Sequence, residues 1–138
     1  MKRNVIIDTG PIVAFINARD KHHEWSKEQF SRIAPPLLTC ESVISEACFL
    51  LRDIHNGSDI ILELLKRGVI NLPFKMEDSL EQIKWLLNKY SNVPMSLADA
   101  CLVRMSEIYP DSSIFTLDND FGIYRKNRRN VIRLLTRR

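Results

Sequence analysis

Four carboxylates, Asp8, Glu46, Asp99 and Asp118, stand in unusual local settings in this chain. Asp8 directly follows the apolar, β-branched run Val5-Ile6-Ile7. An acid at the end of a buried strand is costly unless something neutralises it. Asp8 therefore reads equally as a metal ligand or as the cap of a helix beginning near Pro11. Glu46 falls mid-helix, at the edge of an apolar stripe of Val43, Ala47, Leu50 and Ile54. Carboxylates are rarely placed there without a partner. It is either an inward ligand or a half-exposed glutamate paired with a cation. Glu41 is five residues earlier, about 140° away around the helix, and cannot share one small site with it. Asp99 lies three residues after Ser96, the spacing of a capping box. Small Ala98 and Ala100 flank it and would let a ligand approach. Asp118 follows Ile114-Phe115-Thr116-Leu117, and Asp118-Asn119-Asp120 also suits a simple turn.

Together the four acids imply one chemistry. Carboxylates gathered within a few ångströms repel strongly. Such a cluster persists only if cations neutralise it or its pKa values rise. Oxygen-only ligands favour Mg²⁺ or Mn²⁺ over zinc.

The elements that must position these acids alternate between strand and helix. Strands are expected at 4–7, 37–39, 69–72 and 113–117, with a last edge strand at 131–134. Helices are expected at 11–17, 22–33, 41–54, 58–66, 77–90 and 96–109. Asn56-Gly57 reads as a helix stop and Ser58 as the next cap. Strands separated by helices imply βαβ units and a parallel sheet. Ligands in such sheets bind beyond the C-terminal strand ends, where Asp8 and Asp118 both fall. The chain reads as a single domain, 1–138, with a basic C-terminal segment at 125–138.

The 138 residues carry a net charge of +3, with 45% hydrophobic and 27% charged residues, ordinary for a globular protein. Residues 125–138 hold seven basic side chains and no acid. The remaining 13 Lys and Arg face all 17 acids, so residues 1–124 are net −4. An acidic body with a basic tail suits a protein that collects cations at one place and a polyanion at another. The opening MKRNVIIDTG is not a secretion signal, and no apolar run approaches a membrane span, so the cytoplasm is the expected compartment. Cys40, Cys48 and Cys101 are isolated and read as small buried hydrophobes, not as a disulfide framework.

The order Asp8-Thr9-Gly10-Pro11, Ser45-Glu46-Ala47, Ser96-Leu97-Ala98-Asp99-Ala100 and Thr116-Leu117-Asp118-Asn119-Asp120-Phe121 resembles the PIN-domain family. It is similar in particular to the stand-alone group that includes VapC-like toxin ribonucleases, as is His22-His23-Glu24-Trp25. The resemblance runs from about Arg3 to Leu134. It implies a three-layer α/β/α fold with a small, mostly parallel central sheet. It also implies a Mg²⁺- or Mn²⁺-dependent endoribonuclease that hydrolyses RNA. Asp8, Glu46 and Asp99 match the three core acids and Asp118 the fourth; Asp120 competes for that last role. Thr116 matches a hydroxyl residue beside the metal. A toxin–antitoxin role, a small DNA-binding antitoxin and a homodimer are implied as well.

Under this reading Arg125, Lys126, Arg128 and Arg129 could contact RNA phosphates. Adjacent His22 and His23 point about 100° apart on a helix, so one is expected to pack and the other to be exposed. Three alternatives stand beside the toxin: a PIN nuclease in RNA processing, a non-catalytic RNA-binding module on the same fold, and a phosphohydrolase with Asp8 as nucleophile. The last would need a second acid at position 10, which is Gly10.

Overall fold

The computed structural model describes residues 3–137. Five short strands form one parallel sheet: β1 (Asn4–Ile7), β2 (Leu37–Leu38), β3 (Ile70–Asn71), β4 (Ser112–Phe115) and, last in the chain, the Leu134–Leu135 strand. The spatial order places β1 at the centre, with β2 and then β3 on one side and β4 and then Leu134–Leu135 on the other. Ile6, Ile7, Ile114 and Phe115 are fully buried, because a parallel strand is covered on both faces. Each such side chain contributes roughly 1.5–3 kcal/mol when removed from water.

The helices are α1 (Thr9–Ile16), α2 (His23–Arg32), α3 (Glu41–Leu50), α4 (Gly57–Lys66), α5 (Leu80–Lys89) and α6 (Leu97–Ile108). All six match expected elements, with shifted ends. The 77–90 helix divides: Met76–Ser79 forms one 3₁₀ turn before α5. The 41–54 helix stops at Leu50. Asn56, not Gly57, takes the left-handed conformation (φ 58°), and Gly57 opens α4. The reason is a close approach. A Cβ on Gly57 would lie 2.7 Å from the Leu51 carbonyl oxygen. Glycine is there because the backbones of the α3 exit and the α4 entry nearly touch.

The expected strand at 131–134 is corrected. Asn130–Val131 pairs antiparallel with Arg125–Lys126 as a separate hairpin, β5 and β6. The edge strand begins three residues later than expected, as β7 (Leu134–Leu135), parallel to β4. Asn127 and Arg128 at the hairpin tip both have positive φ, as a tight hairpin turn requires. Among the described residues, no helix is long and apolar enough to cross a membrane. Cys40 and Cys101 are buried as expected of small hydrophobes, whereas Cys48 on α3 is only half-buried.

The chain runs from β1 outward to β2 and β3, then returns through α5 and α6 to β4 on the other flank of β1. The reversal of strand order thus falls between β1 and β4, and the crevice at such a point is where open α/β sheets bind ligands.

Candidate active site

Register assembles the first part of the site. β1 and β4 pair Asn4 with Ser112 through Ile7 with Phe115, so Asp8 and Thr116 leave the sheet side by side. The Asp8 N–H still donates to the Phe115 carbonyl at 2.9 Å. The Thr116 hydroxyl, fully buried, donates to Asp8 Oδ2 at 2.7 Å and accepts from the Asp118 N–H at 2.9 Å. One hydroxyl therefore fixes both strand-end acids. Asp8 Oδ1 accepts from the Thr9 N–H at 2.7 Å, so the residue caps α1 as well as facing the pocket.

Asp99 enters from the first turn of α6. Ser96 Oγ accepts from the Asp99 N–H at 3.0 Å, and the Ser96 N–H reaches Asp99 Oδ2 at 3.4 Å, which completes the capping box. The Tyr124 hydroxyl also donates to Oδ2, at 3.0 Å. Both bonds use one oxygen; among the described residues, no donor reaches Oδ1. Capping and ligation are thus compatible in this residue. Asp118 accepts the Asp120 N–H at 2.9 Å, so the turn reading of that segment is also realised.

An open cavity of about 740 Å³ collects these groups: Asp8, Glu46, Asp99, Asp118 and Asp120 all line it. Glu46 comes from α3 beside Leu50 and is exposed, not buried inward and, among the described residues, not paired. Glu41 is not among the lining residues. Among the described residues, no Lys, Arg or His lines the cavity either. Five acids thus share one pocket in which no described residue brings a basic side chain.

The electrostatics follow. Burial raises Asp8 to about 6, with the charges of Asp99 and Asp118 pushing the same way against the Thr116 and Thr9 hydrogen bonds. Asp99 is also raised, first by burial, while its Tyr124 bond opposes the shift. Burial and then the Asp99 charge raise the Tyr124 phenol, which keeps it a donor.

A divalent cation fits these residues by donor chemistry. The acids are all-oxygen and carry charge that no described residue of the wall offsets. The Thr9 hydroxyl, also on the wall, is buried with no partner among the described residues. Among the described residues, no three acid, thiol or imidazole groups already close around one point; the carboxylates line the cavity instead.

The model of the PIN domain family matches residues 5–127, nearly the whole chain. This chain belongs to the PIN-domain family. It is 27% identical over 117 residues to "Ribonuclease VapC26" of Mycobacterium tuberculosis, across 83% of this chain and 86% of that protein. Its fold is similar to the crystal structure of Mycobacterium tuberculosis VapC20, described as a sarcin-ricin loop cleaving toxin. That likeness has a TM-score of 0.78 and 20% identity, and covers 87% of this chain and 94% of the other.

The PIN domain brings the four expected acids, Asp120 and Thr116 to one place, but not the basic hairpin. Arg125 Nη1 donates to the carbonyls of Gly122, Ile123 and Tyr124. Lys126 Nζ donates to the Pro110 carbonyl, and the Arg128 guanidinium lies over the Trp85 ring at 4.5 Å. Arg129 is exposed. His22 and His23 are both half-buried; neither is fully packed or exposed as expected, and His23 Nδ1 donates to the Ala14 carbonyl at 2.7 Å. Sequence reasoning missed Tyr124. Its only signal was the three-residue spacing from Phe121, which puts both rings on one face of a turn; both are fully buried.

Proposed function

We propose that this PIN domain is a metal-dependent endoribonuclease acting as the toxin of a toxin–antitoxin pair. The observation that carries the reading is the cavity in which five carboxylates meet no base among the described residues. Its relatives' names support the substrate class. Asp8, Glu46, Asp99 and Asp118 would hold one or two Mg²⁺ or Mn²⁺ ions, with Asp120 as the alternative to Asp118. When bound, such an ion lowers the pKa of water and offsets charge on the scissile phosphate.

The chain's own residues do the positioning. Thr116 holds Asp8 and Asp118 at a fixed separation, and Tyr124 and Ser96 orient Asp99. Preorganised ligands cost no reorganisation when charge develops on phosphorus. Water adds to phosphorus as the P–O bond to the leaving oxygen breaks. Among the described residues, no imidazole or ammonium lines the cavity.

Phe49, Leu50, Ile60 and Leu62 on α3 and α4 are exposed apolar side chains, surface for an antitoxin or for a second copy in a homodimer. RNA cleavage with and without Mg²⁺ or Mn²⁺, comparing wild type with Asp99→Asn, tests the nuclease reading. The substitution keeps shape and capping while removing charge. Metal-dependent cutting lost in the variant supports it. Tight RNA binding without cutting would favour a non-catalytic module instead.

A further inference from the structure

An endonuclease must hold its strand on at least one side of the cut, and an acid-lined cavity cannot hold neighbouring phosphates. The basic hairpin is poorly placed for this. The Asn127 N–H at its tip binds Glu107 Oε2, and Glu107 lies eight residues past Asp99 on α6. That is about 12 Å along the helix, toward the opposite end of the sheet.

A different surface adjoins the acids directly. A second cavity, about 360 Å³, shares Asp118 and Asn119 with the first and continues past Gly122 and Thr136 to Arg137. Arg137 in turn lines a third cavity, about 560 Å³, with Trp25 and Lys27 of α2. Shared walls link the three in order, through Asp118 and Asn119 and then through Arg137. Its polar groups change sign with distance from the site: acids first, then the Asn119 amide and the Thr136 hydroxyl, then two cations. Of the two acids on the far wall, Glu28 is already bonded to Arg32, which leaves Glu24 against Lys27 and Arg137. The Trp25 ring is half-exposed there and packs edge-on against Phe115, a fixed platform of the kind on which bases stack.

We propose that this trough is the binding track for a single-stranded RNA segment flanking the cut, with Arg137 and Lys27 contacting phosphates and Trp25 stacking a base. The proposal rests on the nuclease reading for its substrate. Two kinds of variant probe it. Arg137→Ala and Lys27→Ala remove charge. Gly122→Leu obstructs the path without strain, since a Cβ there meets nothing within 4 Å.

The measurement is fluorescence anisotropy of a labelled single-stranded oligoribonucleotide binding to Asp99→Asn protein with Mn²⁺, across a salt series. Each charge removal should reduce the slope of log K against log salt by about 0.7, the value for one phosphate contact on a single strand. Gly122→Leu should weaken binding at least fivefold with its melting temperature unchanged. The track is overturned if binding is absent, if these variants bind as the parent does, or if Arg129→Ala alone lowers the slope. Cleavage by the wild-type protein is scored separately. Cutting that proceeds with the same kcat/KM in Arg137→Ala, Lys27→Ala and Gly122→Leu removes the track and leaves the nuclease. A wild type that binds the strand through these residues yet cuts nothing keeps the track and removes the nuclease.

Discussion

The Tyr124 hydroxyl donates to Oδ2 of Asp99 at 3.0 Å from a ring with no exposed surface. Phe121 and Tyr90 pack edge-on against that ring, so the phenol has little freedom to turn away. The bond orients an acid and also holds its pKa down against the burial that raises it.

Tyr124→Phe keeps the packing and deletes the bond. A hydrogen bond to a charged group is worth about 1.5–3 kcal/mol, so kcat/KM should fall at least tenfold. Without the donor Asp99 is protonated more readily, so the acid limb of the pH–rate profile should move to higher pH. An unchanged profile would show that Tyr124 is only packing.

Thr116→Val leaves a side chain of similar shape while removing the donor to Asp8 Oδ2 and the acceptor for the Asp118 N–H. A buried group left without its partner costs about 1–3 kcal/mol. Chemical denaturation should show a loss in that range, and metal affinity by calorimetry should weaken severalfold. Thr116→Ser, which retains the hydroxyl, should recover most of the affinity. Equal affinity in the valine and serine variants would remove Thr116 from the site.

Much of this arrangement was legible in the sequence. A β-branched run ending in an acid marks the place of Asp8, and the Ser96–Asp99 spacing marks the capping box. In both residues, competing readings turned out to coexist: Asp8 caps α1 and Asp99 caps α6 while both face the cavity. Local pattern could not show Tyr124, whose partner is 25 residues away. Nor could it show the fate of the tail cations. Charge along the chain says nothing about which carbonyls Arg125 and Lys126 will meet, and that depends on how the hairpin folds back. At the α3–α4 junction Asn56-Gly57 suggests a helix stop, but Gly57 opens α4 and answers a crossing of backbones.

That crossing makes a stability prediction independent of the site. Gly57→Ala would press a methyl within 2.7 Å of the Leu51 carbonyl oxygen and 2.8 Å of its Cβ. Overpacking of this kind costs about 1–3 kcal/mol, enough to outweigh the helix propensity gained from alanine. Urea unfolding should show a lower midpoint with an unchanged slope. A midpoint equal to or above the parent's would mean that the junction relaxes freely.

Asp8 links the site to pH. Its pKa is raised from 3.8 to about 6 by burial, so between those values the native state binds more protons than the unfolded chain. Stability contributed by this residue is therefore present at acid pH and lost as pH rises through about 6. The rise corresponds to roughly 3 kcal/mol at neutral pH. A divalent ion binds the charged form, so its stabilising effect should grow over the same interval. The test is thermal unfolding of wild type and Asp8→Asn, each with chelator and with Mn²⁺, from pH 4 to pH 7. With chelator, the melting temperature of wild type should drop relative to Asp8→Asn as pH rises. Mn²⁺ should restore the wild type at pH 7 and do much less for the variant. A wild type that gains on Asp8→Asn with rising pH in chelator would mean that the carboxylate is already compensated by the protein, and the case for a cation at the head of β1 would fail with it.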